Sequence, residues 1–186
     1  MFDLEEQIPQ FCHSGGASGS DTVFETISNQ YGIQTLAYSY KTPSHKTLNK
    51  VEITEEDYLE GVEEILSVKK QIGRRINRDF RYMNLLARNW PQVKYSQSTW
   101  AIGRIEGLNV AGGTGWAVAM SKKHQHPTHI FNQDDNKWYE WSYVVDNWIP
   151  IKCLKITTKH FAGIGTRKIS DTGIQAIETL LKNSFE

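Results

Sequence analysis

Three glycine-rich segments constrain the fold of this chain more than any other feature of the sequence. They are residues 14–21 (SGGASGSD), 111–115 (AGGTG) and 163–167 (GIGTR). Each lies between an apolar, strand-like run and a helix-like run. Strands that alternate with helices are typical of a mainly parallel sheet with helices on both faces. The sequence therefore predicts a single three-layer α/β domain over residues 1–186.

Apolar spacing predicts the elements around these segments. Helices are expected over residues 22–31, 54–72, about 77–89 and from Ser170 onward, with a buried helix at 116–120. The third of these is expected to end before Pro91, because the residue before a proline disfavours helix. Strands are expected over residues 33–40, 99–105, 128–131 and 159–162, and the aromatic-rich residues 137–148 indicate a hairpin or lid.

Composition narrows the class of protein. The chain has 186 residues, 39% of them hydrophobic, and its 21 basic residues balance 21 acidic ones. A neutral chain of this kind is not typical of a nucleic-acid coat or a membrane-surface protein. Neither a signal peptide nor a membrane span is evident, and Cys12 and Cys153 are interpreted as buried thiols of a reducing compartment. We expect a cytoplasmic protein.

The glycine segments suggest a phosphate site. Ligands of open parallel sheets bind outside the carboxyl ends of the strands. Glycine there lets the backbone approach a ligand closely, and the following helix N-terminus offers N–H groups and partial positive charge. A lone glycine turn more often serves packing. Three of them in the same strand–turn–helix context favour a ligand site.

These residues resemble the SLOG superfamily, the Rossmann-like group that contains the LOG phosphoribohydrolases, the DprA proteins and the YpsA-like proteins. Residues 14–21 resemble its SGGAxGAD element, residues 111–115 its second glycine motif (PGGxGT in LOG enzymes), and residues 161–167 its AGIGSR strand and turn. The AGIGSR-like element normally opens the fold but here comes last. That order is similar to the circularly permuted YpsA-like branch. The chain also resembles bacteriophage proteins.

The resemblance implies binding of a nucleotide or an NAD-derived molecule. In a phage protein, such binding would sequester an immune signalling nucleotide of the host as an anti-defence function. LOG enzymes cleave nucleoside monophosphates with an arginine, here matched by Arg88, and a glutamate after the second glycine motif. That glutamate is absent, since residues 116–120 read WAVAM. Noncatalytic binding is therefore favoured, although Asp21 or Glu25 could substitute for the glutamate.

Two alternatives stay open: a LOG-like nucleotide N-glycosidase and DprA-like binding of single-stranded DNA. The second would use the basic residues 69–88, for which a solvated helix face is the commoner explanation. We expect a homo-oligomer, as is frequent among the related proteins, and neither cofactor nor metal. The histidines 124, 126 and 129 are interpreted as a polar loop. The aromatic residues 138–148 could stack on a base, but more often form a hydrophobic layer.

The candidate ligand-binding residues come from the three glycine segments, the end of the second strand and the matched arginine. They are Ser14, Gly15, Gly16, Ala17, Ser18, Gly19, Ser20, Asp21, Ser39, Arg88, Gly112, Gly113, Thr114, Gly115, Gly163, Gly165, Thr166 and Arg167. Of these, Asp21 could also serve only as a helix cap, and Arg88 and Arg167 only as surface charges.

Overall fold

The computed structural model describes residues 10–40, 47, 49–76, 80–152 and 154–186. Within these residues the helices are α1 (Ser20–Gln30), α2 (Glu55–Val68), α3 (Phe80–Ala87), α4 (Asn89–Lys94), α5 (Thr114–Lys123) and α6 (Asp171–Phe185). The strands are β1 (Phe11–Ser14), β2 (Gln34–Ser39), β3 (Lys50–Glu52), β4 (Ser98–Gly103), β5 (Ile105–Glu106), β6 (Asn109–Val110), β7 (Thr128–Asn132), β8 (Lys137–Ser142), β9 (Asn147–Ile151) and β10 (His160–Gly165).

The main sheet has the strand order β3-β2-β1-β10-β4-β7-β8-β9. The first six strands in this order are parallel to one another. The last two, β8 and β9, continue the sheet as an antiparallel hairpin. The strand that comes last in the sequence, β10, lies in the middle. It pairs with β1 through Phe161 and Cys12, and with β4 through Gly163 and Trp100.

Alternation along the central strands divides the core between the two faces of the sheet. In β4, Trp100 and Ile102 pack with α1 and α6, whereas Ala101 between them packs with α2 to α5. Phe161 and Ala162 of β10 point to opposite faces in the same way. This period of two is what strands covered on both faces require. The expected Rossmann-like α/β fold, with a mainly parallel sheet between two helical layers, is what the structure has.

Several elements follow the sequence-based prediction. The run 116–120 lies in α5 and is buried, and residues 137–148 form part of the β8–β9 hairpin. This hairpin extends the sheet rather than covering it as a lid. Capping by Thr54 and Ser170 begins α2 and α6, because their hydroxyls accept the N–H of Asp57 and Gly173.

The helix predicted at about 77–89 corresponds to α3, which ends at Ala87 and therefore before Pro91. The helix that follows it was not predicted. A short helix, α4, runs from Asn89 to Lys94 and contains Pro91 in its first turn. A proline there removes an N–H that has no partner inside the helix in any case. The expected strand over 99–105 was too long, because β4 ends at Gly103 and Ile105 begins a separate two-stranded sheet with β6.

The thiol of Cys12 is buried in the core, and burial raises its pKa well above the usual range. Cys153 lies outside the described residues. Across the part of the chain that the structure describes, no helix is both long and apolar enough to cross a lipid bilayer.

Candidate functional site

A cavity of about 690 Å³ opens where β1, β4, β7 and β10 end. Residues of all three glycine segments contribute to its wall. The lining residues are Ala17, Asp21, Tyr82, Leu85, Leu86, Arg88, Asn89, Gln92, Gly103, Arg104, Ala111, Gly112, Gly113, Thr114, Ala117, Gln133, Asp134, Ile164, Gly165, Thr166, Arg167 and Lys168. The cavity therefore lies at the edge of the sheet where ligands of this architecture bind.

The second glycine segment presents its backbone to the cavity. Gly112 has a φ of 64°, and a Cβ on either Gly112 or Gly113 would meet nothing within 4 Å. Among the described residues, no acceptor is bonded to the N–H groups of Gly113 and Thr114. Thr114 is the first residue of α5, and Gly113 before it is the N-cap residue, which has no side chain to cap the helix. An uncapped helix start that faces a cavity suits an anion.

Arg74 fixes the shape of this second segment. Its guanidinium donates hydrogen bonds to the carbonyl oxygen of Gly112 and, at 2.6 Å, to that of Val110. Gly115 is packed rather than open, since a Cβ there would collide with the carbonyl oxygen of Val110. The segment is thus held from behind while its front remains accessible.

The first and third glycine segments pack against each other. A Cβ on Gly19 would lie 2.6 Å from the carbonyl oxygens of Thr166 and Arg167. The Ser20 N–H and hydroxyl both donate to the Thr166 oxygen, at 3.0 and 2.8 Å. Gly19 therefore serves close packing between two segments of the chain.

The carboxylate of Asp21 accepts one backbone hydrogen bond from each of these two segments. It accepts hydrogen bonds from the Ala17 N–H at 3.3 Å and the Gly165 N–H at 3.1 Å. A Cβ on Gly15 would lie 2.6 Å from its Oδ2. Burial raises the pKa of Asp21 to about 6, although nearby Arg88 and the two N–H groups lower it. An internal anion thus takes the place at which the sequence suggested a ligand phosphate.

Arg88 lies at the junction of α3 and α4, buried beneath the first glycine segment. Its guanidinium donates to the carbonyl oxygen of Gly15. Burial lowers its pKa, and the charge of Asp21 opposes that effect. The buried amide of Gln92 donates to the Arg88 carbonyl oxygen at 3.1 Å. Arg88 therefore stabilises the first segment and balances the charge of Asp21 at the cavity wall.

The wall of the cavity carries both cationic and apolar side chains. Four of its residues are basic and two are acidic, which leaves an excess of positive charge at neutral pH. The basic residues are Arg88, Arg104, Arg167 and Lys168. The apolar side chains come from α3, α5 and β10, and belong to Tyr82, Leu85, Leu86, Ala117 and Ile164.

Several candidate residues lie outside the cavity wall. Ser14 is buried and donates to Glu25 at 2.8 Å, and Gly163 is packed on the ring of Phe24. Ser18 is exposed and Ser39 is buried, and neither lines the cavity. The other residues outside the wall are Gly15, Gly16, Gly19, Ser20 and Gly115.

Some lining residues were missed by sequence reasoning. Arg104 directly follows β4, Gln133 directly follows β7, and Lys168 extends the third segment. Their position just beyond parallel strands was the available signal. Leu85 stands one helical turn before Asn89 and Tyr82 stands two turns before it, and that spacing could have placed them on the same side.

The aromatic and histidine clusters lie elsewhere. Trp141 and Trp148 meet edge to face with their centroids 5.1 Å apart, and Lys122 Nζ lies 3.2 Å from the Trp141 centroid. His129 belongs to β7, not to a loop, and stacks on Trp100 at 3.7 Å. Its burial lowers its pKa to about 4. In the described residues, no group of three or more acidic, histidine or cysteine side chains could hold a metal ion.

Comparison with known proteins supports the fold. No protein-family model and no curated protein sequence matches the chain. A crystal structure of a protein named as a candidate molybdenum carrier, from Syntrophus aciditrophicus, is similar with a TM-score of 0.57 and 15% sequence identity. The likeness covers 96% of each chain. It confirms the Rossmann-like α/β architecture predicted from the glycine segments.

Proposed function

We propose that this chain binds, without catalysis, a phosphate-bearing small molecule derived from a nucleotide or from NAD. The observation that carries the proposal is the open, uncapped start of α5 in a cavity with an excess of basic residues. The matching chemistry of the ligand is one end that is anionic and one that is flat and apolar.

The phosphate is assigned to the second glycine segment. The N–H groups of Gly113 and Thr114 start α5, and the positive end of the helix dipole adds to their attraction for an anion. A side chain on Gly112 or Gly113 would meet no protein atom within 4 Å. Packing therefore gives no reason for a glycine at 113, whereas close approach of a ligand does.

Arg167 and Lys168 supply side-chain charge to the same ligand, whereas the guanidinium of Arg104 is paired with Glu106 at 3.0 Å. Arg167 and Lys168 are exposed and follow β10 directly. Guanidinium groups suit phosphate because they donate two parallel hydrogen bonds. The apolar side chains, which include those of Tyr82 and Leu85, offer a surface for a base or a nicotinamide-like ring.

Related proposals follow from the resemblance in sequence. We propose that the chain is a circularly permuted member of the SLOG superfamily, which is supported by the central position of its last strand, β10. Sequestration of a host immune nucleotide by a phage-encoded protein is the proposed setting. The similar crystal structure is named for molybdenum, so a molybdenum oxoanion is a competing ligand to be tested.

Isothermal titration calorimetry tests the proposal. The panel contains nucleoside monophosphates, ADP-ribose species, cyclic dinucleotides, inorganic phosphate and molybdate. We expect at least one nucleotide-derived molecule to bind more tightly than phosphate or molybdate. Arg167→Ala should weaken that binding about tenfold or more, because a charge-assisted hydrogen bond is lost, whereas Lys182→Ala on the exposed side of α6 should not.

Three outcomes would contradict the proposal. Absence of binding across the panel would remove its basis. Molybdate as the tightest ligand would replace the nucleotide by an oxoanion. Equal losses in the Arg167 and Lys182 variants would mean that the ligand binds elsewhere.

A nucleotide N-glycosidase is the second candidate function, because a carboxylate does line the cavity. Asp21 has a pKa of about 6, and a carboxylate can stabilise the oxocarbenium-like state of glycosidic cleavage. Incubation with nucleoside monophosphates, followed by chromatography, would detect a released base. If the base is released and Asp21→Asn prevents it, the enzyme function replaces simple binding; recovery of intact nucleotide rejects it.

A further inference from the structure

An exposed apolar stripe runs along the outer face of α2. Leu59 and Leu66 are 56% and 48% exposed. Seven residues bring a helix back to within about 20° of the same direction, so both leucines lie on one side. Val62, half-buried between them, continues the stripe. Clustered exposed apolar side chains on a helix indicate an interaction surface.

Opposite charges flank the two leucines. Glu55 and Glu56 begin α2, and Lys69 and Lys70 follow its last assigned residue, Val68. Helical hydrogen bonds continue past that residue, from the Lys69 N–H to Ile65 at 3.0 Å and from the Ile72 N–H to Val68 at 3.1 Å. Glu55 and Lys70 therefore stand on the same face as the leucines, each four residues beyond one of them.

Along this face the side chains are acidic, apolar, apolar and basic in turn. A second copy of the helix in the antiparallel direction therefore places basic against acidic and apolar against apolar side chains. We propose that α2 pairs antiparallel with α2 of a second copy of this chain, about a twofold axis between Val62 and Glu63. Leu59 then contacts the partner's Leu66, and Glu55 contacts the partner's Lys70. A twofold interface repeats each of these contacts once.

The charges select this arrangement over others. A parallel pair would place Glu55 against the partner's Glu55, and like charges repel. Within one chain, fifteen residues of helix separate Glu55 from Lys70 by about 22 Å, so they do not interact with each other. In the described residues, neither of them forms an ion pair. Their charges remain available to a partner.

One residue opposes the pairing. Glu63 is exposed and lies next to the proposed axis, so the carboxylates of two copies approach each other there. Together with the small area of a single helix pair, this predicts a weak dimer that depends on concentration and salt. It also predicts that loss of the Glu63 charge tightens the dimer.

The proposed surface is separate from the cavity. Its residues do not line the cavity, although α2 packs against α3, α4 and α5, which do contribute lining residues. The dimer is therefore independent of the proposed ligand function, and either could hold if the other failed.

Sedimentation of the full chain over a concentration series tests the pairing through charge reversal. Glu55→Lys alone and Lys70→Glu alone should each weaken the dimer about tenfold or more, since attractive pairs become repulsive. An equimolar mixture of the two variants should form a heterodimer again, because every pair in it is then Glu against Lys. Glu63→Gln should raise the association constant.

Glu178→Lys, on the exposed side of α6, is the matched control and should leave the dimer unchanged. Circular dichroism of each variant checks that the fold is retained. A wild-type chain that stays monomeric at every accessible concentration would overturn the proposal. So would a dimer that ignores both single reversals, or variants that weaken it but fail to associate when mixed.

Discussion

Neighbouring glycines of the second segment have different reasons to be glycine. Gly112 has a φ of 64°, a backbone conformation that L side chains rarely adopt. Gly113 has a φ of −61° and a ψ of −35°, which any residue adopts, and open space beside it. Conformation explains the first glycine, and only access to the cavity explains the second.

Substitution by alanine should separate these two reasons. Gly112→Ala should lower the free energy of unfolding by about 1–2 kcal/mol, because the left-handed conformation strains the new residue. Gly113→Ala should leave it unchanged or raise it by up to about 1 kcal/mol. Urea denaturation measures both. If the two variants lose equal stability, the difference in backbone conformation is not what distinguishes these positions.

Gly113→Ala should affect ligand affinity although it does not lower stability. A methyl group there projects into the cavity where the proposed phosphate approaches the helix start. We expect a ligand found by the calorimetric panel to bind Gly113→Ala more weakly than the wild type, even though we expect that variant to be as stable as the wild type. Unchanged affinity would move the phosphate away from this segment.

The buried Lys122 near the end of α5 should make stability depend on pH. The residue is 8% exposed. Its amine donates to the Leu108 carbonyl oxygen at 3.0 Å and lies over the Trp141 ring. Burial lowers its pKa to about 8, against the opposing charge of Asp146. An unfolded lysine has a pKa of about 10.4, so between these values the unfolded chain binds more protons than the folded one.

Stability should therefore rise as pH increases from about 8 to about 10.4, by about 1–3 kcal/mol from this group. Urea denaturation across that range, in the wild type and in Lys122→Met, isolates the effect. The variant keeps the length of the side chain but cannot titrate, so the wild-type curve should rise relative to that of the variant as the pH increases. Parallel curves would contradict the lowered pKa.

At the level of helices and strands, local signals predicted what local chemistry decides. The helix caps at Thr54 and Ser170, the buried α5 and the β8–β9 hairpin all follow from nearby residues. The short helix α4 and the β5–β6 ribbon were not predicted. Packing decides α4, because so short a helix is stable only when residues such as Trp90 and Val93 are buried against the rest of the protein.

The site was predictable in part for the same reason. Glycine turns at strand ends can be recognised in the sequence, and residues of all three segments do line one cavity. The sequence could not predict that the Asp21 carboxylate accepts hydrogen bonds from backbone N–H groups of the first and third segments. This arrangement depends on a contact between Asp21 and Gly165, which are 144 residues apart in the chain.

Gly61 tests how closely the helices that support the cavity must pack. A Cβ there would lie 2.5 Å from the carbonyl oxygen of Ala87, at the end of α3. Gly61→Ala should force α2 and α3 apart and lower the free energy of unfolding by about 1–3 kcal/mol. Ser67→Ala, exposed on the same helix, is the control and should change it by less than about 0.5 kcal/mol. Thermal denaturation of both compares them; similar midpoints would mean that the helices adjust freely.

Across the whole molecule, β10 joins two groups of strands that have no other hydrogen-bonded connection in the described sheet. On one side lie β1, β2 and β3, and on the other β4, β7, β8 and β9. Ala162 and Ile164 also contribute to the core beneath α2 to α5, while Phe161 contributes to the core under α1 and α6. Both halves of the sheet therefore depend on one strand.

Ending the chain after Lys155 should abolish cooperative unfolding, because the truncated chain lacks both the central strand and the helix α6 that covers it. Calorimetry should find no sharp heat-absorption peak. The missing segment, added as a synthetic peptide of residues 156–186, should restore a transition if the two halves are otherwise competent to pair. A truncated chain that melts cooperatively at the wild-type temperature would contradict this dependence.

The central position of β10 has a consequence during synthesis. The ribosome makes the strands on both of its sides first, at roughly 5–20 residues per second. Until residues 160–165 leave the exit tunnel, β1 and β4 each expose an unpaired edge of backbone amides and carbonyls, which can join strands of other chains. The nascent protein is thus most prone to aggregate in the interval before β10 leaves the exit tunnel, and chaperones are needed most in that interval.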